Sequence, residues 1–166
     1  MDVSRSLAVL TLVGLGALVL PACSSSGGGS SGTGASTLTT ESVCDTDPRA
    51  MAYSVGLAET ATGGLKMSFV DASPAPPTKG LNAWTMKIED ATGAPMSGAT
   101  VALKPYMPDH GHGASVIPQV MPMTDAGTYQ ITDIDFFMPG IWQNTFTVTP
   151  ASGAPQTVVF TFCIDG

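Results

Sequence analysis

The chain has 166 residues and a formal net charge of −7, with 6 Lys and Arg against 13 Asp and Glu. A nucleic-acid-binding protein needs a basic patch that neutralises phosphates, so this balance excludes nucleic acid as a partner. The same shortage of positive charge excludes electrostatic adhesion of the domain to anionic lipid.

The N-terminal residues have the composition of a bacterial export signal. Arg5 precedes an apolar run from Leu7 to Leu20. This run of about 14 residues suits a signal peptide, whereas a membrane-spanning helix needs about 20. Small residues then precede Cys23, an arrangement that resembles the bacterial lipobox. We predict a signal peptide at residues 1–22 and lipid on Cys23. The alternative is an ordinary secretory signal in which Cys23 is incidental.

A low-complexity segment follows the predicted lipid site. Residues 23–40 are rich in Ser and Gly and carry no charge. Such a segment cannot bury a core and is predicted to be a flexible tether. Ser24 directly after Cys23 resembles the signal for outer-membrane sorting. The predicted location is therefore the periplasmic face of the cell envelope, at the outer membrane, with the membrane as a partner through lipid on Cys23.

The other two cysteines lie near the two ends of the remaining chain. With Cys23 assigned to lipid, Cys44 and Cys163 are left. An even remainder in an exported protein predicts a disulfide between them. The alternative is a pair of metal-binding thiolates, which is the weaker interpretation because neither cysteine is near a histidine in the sequence.

Residues 41–166 are predicted to form one all-β domain, an immunoglobulin-like β-sandwich. Short runs of strand character alternate with turn clusters at a spacing that implies about 7–8 strands. In Asn82–Glu89, for example, Trp84 and two further large apolar residues alternate with small or polar ones. Trp84 and Trp142 are the expected core anchors. The predicted strands are Met51–Ala58, Leu65–Asp71, Asn82–Glu89, Thr100–Lys104, Val116–Met121, Thr128–Ile134, Gln143–Thr149 and Thr157–Cys163.

Both histidines lie in one short run, Met107-Pro108-Asp109-His110-Gly111-His112-Gly113. Side chains at i and i+2 of an extended segment point to the same side, so His110 and His112 are expected to converge. Imidazole is a copper ligand and thioether sulfur favours Cu(I). Three methionines in or after the run, Met107, Met121 and Met123, are therefore candidate ligands beside the histidines. Copper is the candidate cofactor.

A purely structural interpretation stays open. Methionine fills irregular gaps in cores, and a histidine in a Gly-rich loop can simply bond a neighbouring carbonyl. The protein would then be a non-catalytic adaptor that docks another envelope protein without any metal. We predict no enzymatic activity, because both histidines share one loop and no serine lies in a nucleophile-type turn.

The order of several runs along the chain is similar to that of a known family. These runs are Gly80-Leu81-Asn82, Gly93–Val101, Met107–Gly113, Gly127-Thr128-Tyr129 and Phe137-Met138-Pro139-Gly140-Ile141-Trp142. Together they resemble the YtkA-like domains, exported β-sandwich modules related to FixH. FixH proteins are associated with the assembly of copper-containing terminal oxidases, but helices anchor them. The resemblance therefore implies the fold, and it does not imply oxidase assembly for a lipid-tethered chain.

Overall fold

The computed structural model describes Cys44 and residues 46–166. The predicted signal peptide, the lipidation site Cys23 and the tether up to residue 40 lie outside the described residues. Within the described part, the regular structure consists of strands. No helix there is long and apolar enough to cross a membrane.

Nine strands form in the described residues, and they pair into two antiparallel sheets. One sheet has the order β1-β2-β3-β7-β6 and the other the order β5-β4-β8-β9. The predicted all-β sandwich is confirmed, and the count exceeds 7–8 because β1 and β5 are very short. The strands are β1 (Ala58–Thr60), β2 (Lys66–Ser73), β3 (Gly80–Glu89), β4 (Thr100–Met107), β5 (His112–Gly113), β6 (Gln119–Pro122), β7 (Thr128–Phe136), β8 (Gly140–Thr149) and β9 (Gln156–Ile164).

Aromatic side chains dominate the core between the sheets. Trp84 and Trp142 are almost fully buried, as predicted, together with Phe69, Phe136 and Phe160. Phe69 packs edge-to-face against both Trp84 and Phe160, with ring centroids 5.1 Å apart in each pair. Burial of one large apolar side chain contributes about 1.5–3 kcal/mol, so these rings are a principal source of stability.

Two of the predicted strands were wrong in part. Residues 51–57 are irregular, and β1 begins only at Ala58. The break occurs at Gly56, whose positive φ of 85° takes the backbone out of the extended region. In the predicted strand Val116–Met121, pairing begins only at Gln119. Pro118 has no N–H to donate to a ladder, which delays pairing. The chain passes between β5 and β6 from one sheet to the other.

Both histidines lie at one end of the sandwich, which we call the histidine end. The hairpin between β4 and β5 lies there, and Gly140 at the start of β8 pairs with Ile164 at the end of β9. The predicted disulfide is confirmed, since Cys44 is bonded to Cys163 near the end of β9. The bond fixes the N-terminal part of the described chain to the histidine end.

Candidate metal centre

The β4–β5 hairpin carries both histidines on a tight turn. The backbone amides of His110 and Gly111 both donate to the carbonyl of Met107, at 3.2 and 2.9 Å. Gly111 has a φ of 72°, a left-handed conformation that glycine adopts without steric cost. His110 is exposed at the tip and His112 is half-buried in β5. Backbone bonds alone therefore close the turn.

The turn brings the two imidazoles together. Their ring centroids lie 5.6 Å apart. Two imidazoles that share one metal through bonds of about 2.0 Å have centroids roughly 5 Å apart in tetrahedral geometry. Across the part of the chain that the structure describes, neither imidazole takes part in a hydrogen bond. The separation of the two rings is thus close to that of two imidazoles bound to one ion.

The corner between β7 and β8 orients His112. Its ring stacks on Phe137 with centroids 5.6 Å apart and an angle of 26° between the planes. Phe137 in turn meets the edge of Trp142 at 5.5 Å. The indole Nε1 of Trp142 donates to the carbonyl of Met138 at 3.0 Å, which closes the corner. The ring of His112 is therefore supported by Phe137, which belongs to the last of the runs that carried the family resemblance.

Met107 is the strand neighbour of His112 in the hairpin. It pairs directly with His112 across the hairpin, and such cross-strand neighbours share one face with Cβ atoms about 4.5–5.5 Å apart. Its side chain is fully buried. Its terminal methyl group lies only 3.0 Å from the place where a Cβ on Gly140 would be. Gly140 and His110 line one cleft of about 210 Å³, so the methyl end of Met107 lies close to a residue of that cleft.

Met121 and Met123 are not brought to the histidines. Met121 pairs with Gln130, and Phe136 at the histidine end is six residues further along β7. At about 3.3 Å per residue this is a separation of roughly 20 Å. The amide of Met123 donates to Thr128, still closer to the opposite end. The predicted set of five ligands is thus divided, with His110, His112 and Met107 at one end.

Comparison with known proteins places these runs in a family. The sequence model of the YtkA-like family matches residues 61–147, more than half of the 166 residues. The chain belongs to the YtkA-like family. The match contains both the histidine run and the corner that braces it, and the resemblance inferred from the sequence is confirmed. No curated protein matches the sequence significantly.

Three solved structures, of two proteins, resemble this YtkA-like domain distantly. FetP of uropathogenic Escherichia coli is 15% identical, and the match covers 69% of this chain and 96% of FetP with a TM-score of 0.48. A copper-bound variant of FetP gives the same TM-score of 0.48. A DUF4426 family protein of Pseudomonas aeruginosa is 16% identical, with 64% of this chain and 97% of that chain covered and a TM-score of 0.47.

Arg49 lies in the N-terminal segment of the domain and joins that segment to the β4–β5 hairpin. Arg49 Nη1 and Nη2 donate to the two carboxylate oxygens of Asp109, each at 2.7 Å. Its Nε and Nη2 also donate to Asp47, at 3.0 and 2.6 Å. The hydrogen bonds from Arg49 lower the pKa of Asp47 to about 2 and also lower the pKa of Asp109. No sequence pattern pairs Arg49 with Asp109, because 60 residues separate them.

The ion pairs of Arg49 with Asp47 and Asp109, which we call the ion-pair cluster, predict an unusually low pKa for Asp47. In carboxyl NMR, Asp47 should titrate with a pKa of about 2, and Arg49→Gln should return it towards 3.8. Because the pKa is lowered on folding, the stabilising contribution of this group is complete above pH 3.8 and is lost as the pH falls through about 2.

Asp90 provides the control for this titration. Its pKa is also lowered, but by Thr92 and the amide of Ala94 in its own turn. Arg49→Gln should therefore leave Asp90 unchanged. An Asp47 that titrates near 3.8 with Arg49 in place would show that the cluster does not form in solution.

Proposed function

We propose that this YtkA-like protein is an exported, lipid-anchored envelope protein that binds copper through His110 and His112, with the sulfur of Met107 as a third donor. The observation that carries the proposal is the imidazole pair, 5.6 Å apart at the tip of a hairpin. Metal ligands are commonly held in orientation by neighbouring groups, and here Phe137 supports His112.

The chemistry of the donors favours copper. Imidazole binds several first-row metals, but copper stands at the top of the affinity order for divalent ions. A thioether adds preference for Cu(I) and needs no deprotonation. Met107 is fully buried, so it would approach the ion from the apolar side, while His110 is open to solvent. Such a site would exchange copper from its outer face.

The adaptor interpretation expects imidazoles that hold the turn by bonding to the backbone. Instead, the amides of His110 and Gly111 close the turn through the carbonyl of Met107. The imidazoles are not needed for this geometry. Both imidazoles are therefore available to a shared ligand.

The proposed location rests on the sequence and on the disulfide. Residues 1–22 have signal-peptide composition and Cys23 follows a lipobox-like sequence. The bond between Cys44 and Cys163 is typical of exported proteins, because oxidising compartments allow such bonds to persist.

Mass spectrometry of the native protein tests the processing. The expected product lacks residues 1–22, carries lipid on Cys23 and contains oxidised Cys44 and Cys163. Replacement of Cys23 by alanine should release the protein from the membrane fraction, whereas the disulfide should form as before. An unmodified Cys23 in the native protein would contradict lipid anchoring.

Copper titration of the purified protein tests the metal site. His110→Ala combined with His112→Ala should weaken binding of Cu(I) and Cu(II) by at least tenfold, because both imidazoles are lost. The matched control is Met121→Ala with Met123→Ala. This control should bind like the unchanged protein, since these thioethers lie at the other end of β7.

A third variant separates the two oxidation states. Met107→Leu keeps the size and apolar character of the buried side chain, so the fold should tolerate it. It should weaken Cu(I) binding more than Cu(II) binding, because sulfur favours Cu(I). Affinity unaffected by the double histidine variant would contradict the proposed function, and so would affinity lost in the Met121 and Met123 control.

A further inference from the structure

We infer that Arg49 sets the metal selectivity of this site by holding the carboxylate of Asp109 away from the ion bound by His110 and His112. The inference rests on the proposed function and adds to it a specificity-determining residue that makes no metal contact of its own.

Asp109 is placed where a ligand would be expected. It directly precedes His110 in the hairpin turn and lines the same cleft as His110. Its side chain is half exposed, so the core does not enclose it. Carboxylate oxygen is a ligand for zinc and for harder divalent ions. Asp109 with His110 and His112 would make the common set of one carboxylate and two imidazoles.

The described side chains do not adopt that arrangement. No group of three or more His, Cys, Asp or Glu side chains among them is arranged to hold a metal. The reason is local, since both oxygens of Asp109 are occupied by Arg49 at 2.7 Å. A bidentate pair of this type fixes the carboxylate in direction as well as in position. Arg49 therefore keeps the carboxylate of Asp109 from joining the two imidazoles.

The position of Arg49 is itself determined by the fold. The segment that carries it is tied to β9 by the disulfide at Cys44. Just after Arg49, the amide of Met51 donates to Thr161 of β9 at 2.8 Å, and the amide of Thr161 donates to the sulfur of Met51 at 3.4 Å. Asp47 occupies the other edge of the guanidinium. Arg49 thus reaches the hairpin already oriented.

The consequence is a difference between metals. With Asp109 withheld, the available donors are two imidazoles and the sulfur of Met107, a set that suits copper. With Asp109 released, an oxygen donor joins the imidazoles, and the set suits Zn(II) and Co(II) as well. Removal of Arg49 should therefore increase the affinity for Zn(II), which loss of a merely structural ion pair would not do.

The test compares Arg49→Gln with the unchanged mature protein. Zn(II) affinity is measured by competition with a chelating dye, and Co(II) coordination by its visible absorption. Arg49→Gln should bind Zn(II) about tenfold more tightly, because it gains an oxygen ligand, and should change the Co(II) spectrum, with Cu(I) affinity retained. Arg49→Lys keeps the charge but not the planar fork, and should give an intermediate Zn(II) affinity.

A second substitution identifies the ligand gained. Arg49→Gln combined with Asp109→Asn should return Zn(II) affinity to that of the unchanged protein, because the new oxygen donor is weakened. Carboxyl signals of Asp90, remote from the cluster, report that each variant is folded. Unchanged or weaker Zn(II) binding by folded Arg49→Gln would overturn the inference.

The two proposals can fail separately. If the unchanged protein binds copper through His110 and His112 while Arg49→Gln gains no Zn(II) affinity, only the role of Arg49 is wrong. If the unchanged protein does not bind copper but Arg49→Gln gains Zn(II) affinity that depends on Asp109, the withheld carboxylate is supported and the copper function is wrong.

Discussion

The β4–β5 hairpin meets the β7–β8 corner at Gly140, where the backbone conformation favours a residue without a side chain. A Cβ there would lie 3.0 Å from the methyl group of Met107, and the φ of 124° lies in the region that favours glycine. Because Gly140 is small, Met107 can be buried fully while Phe137 comes under the ring of His112. The proposed copper site is built on this contact.

The site therefore combines a rigid support with an open face. Trp142 and the carbonyl of Met138 hold the corner, and the corner holds the ring of His112. His110 faces solvent at the tip, where an ion would enter. The N-terminal segment approaches from the side with Arg49, which is covalently secured through Cys44 and Cys163. The β7–β8 corner and the N-terminal segment thus both contact the β4–β5 hairpin.

Features that depend mainly on neighbouring residues could be predicted from the sequence. The alternation around Trp84 predicted a strand with one buried face, because strand side chains alternate regardless of the rest of the fold. The convergence of His110 and His112 likewise needs only three residues and a glycine. An even cysteine count was sufficient for the disulfide, because Cys44 and Cys163 had no other cysteine partner after Cys23 was assigned.

Contacts between residues far apart in the sequence could not be predicted in the same way. The equal spacing of Met121 and Met123 suggested a shared site, but spacing does not reveal that β6 runs away from the hairpin. The ion pair of Arg49 with Asp109 depends on how the N-terminal segment lies on β9. Gly56 and Pro118 interrupted two predicted strands, and both are residues whose effect depends on the conformation of their neighbours.

The central claim is that one copper ion is held by the histidine pair and Met107. X-ray absorption spectroscopy of the Cu(I)-loaded protein tests this most directly, because imidazole rings and sulfur give distinct scattering. We expect two imidazoles and one sulfur, with the imidazole scattering lost after His110→Ala with His112→Ala. A first shell of sulfur without imidazole would contradict the account.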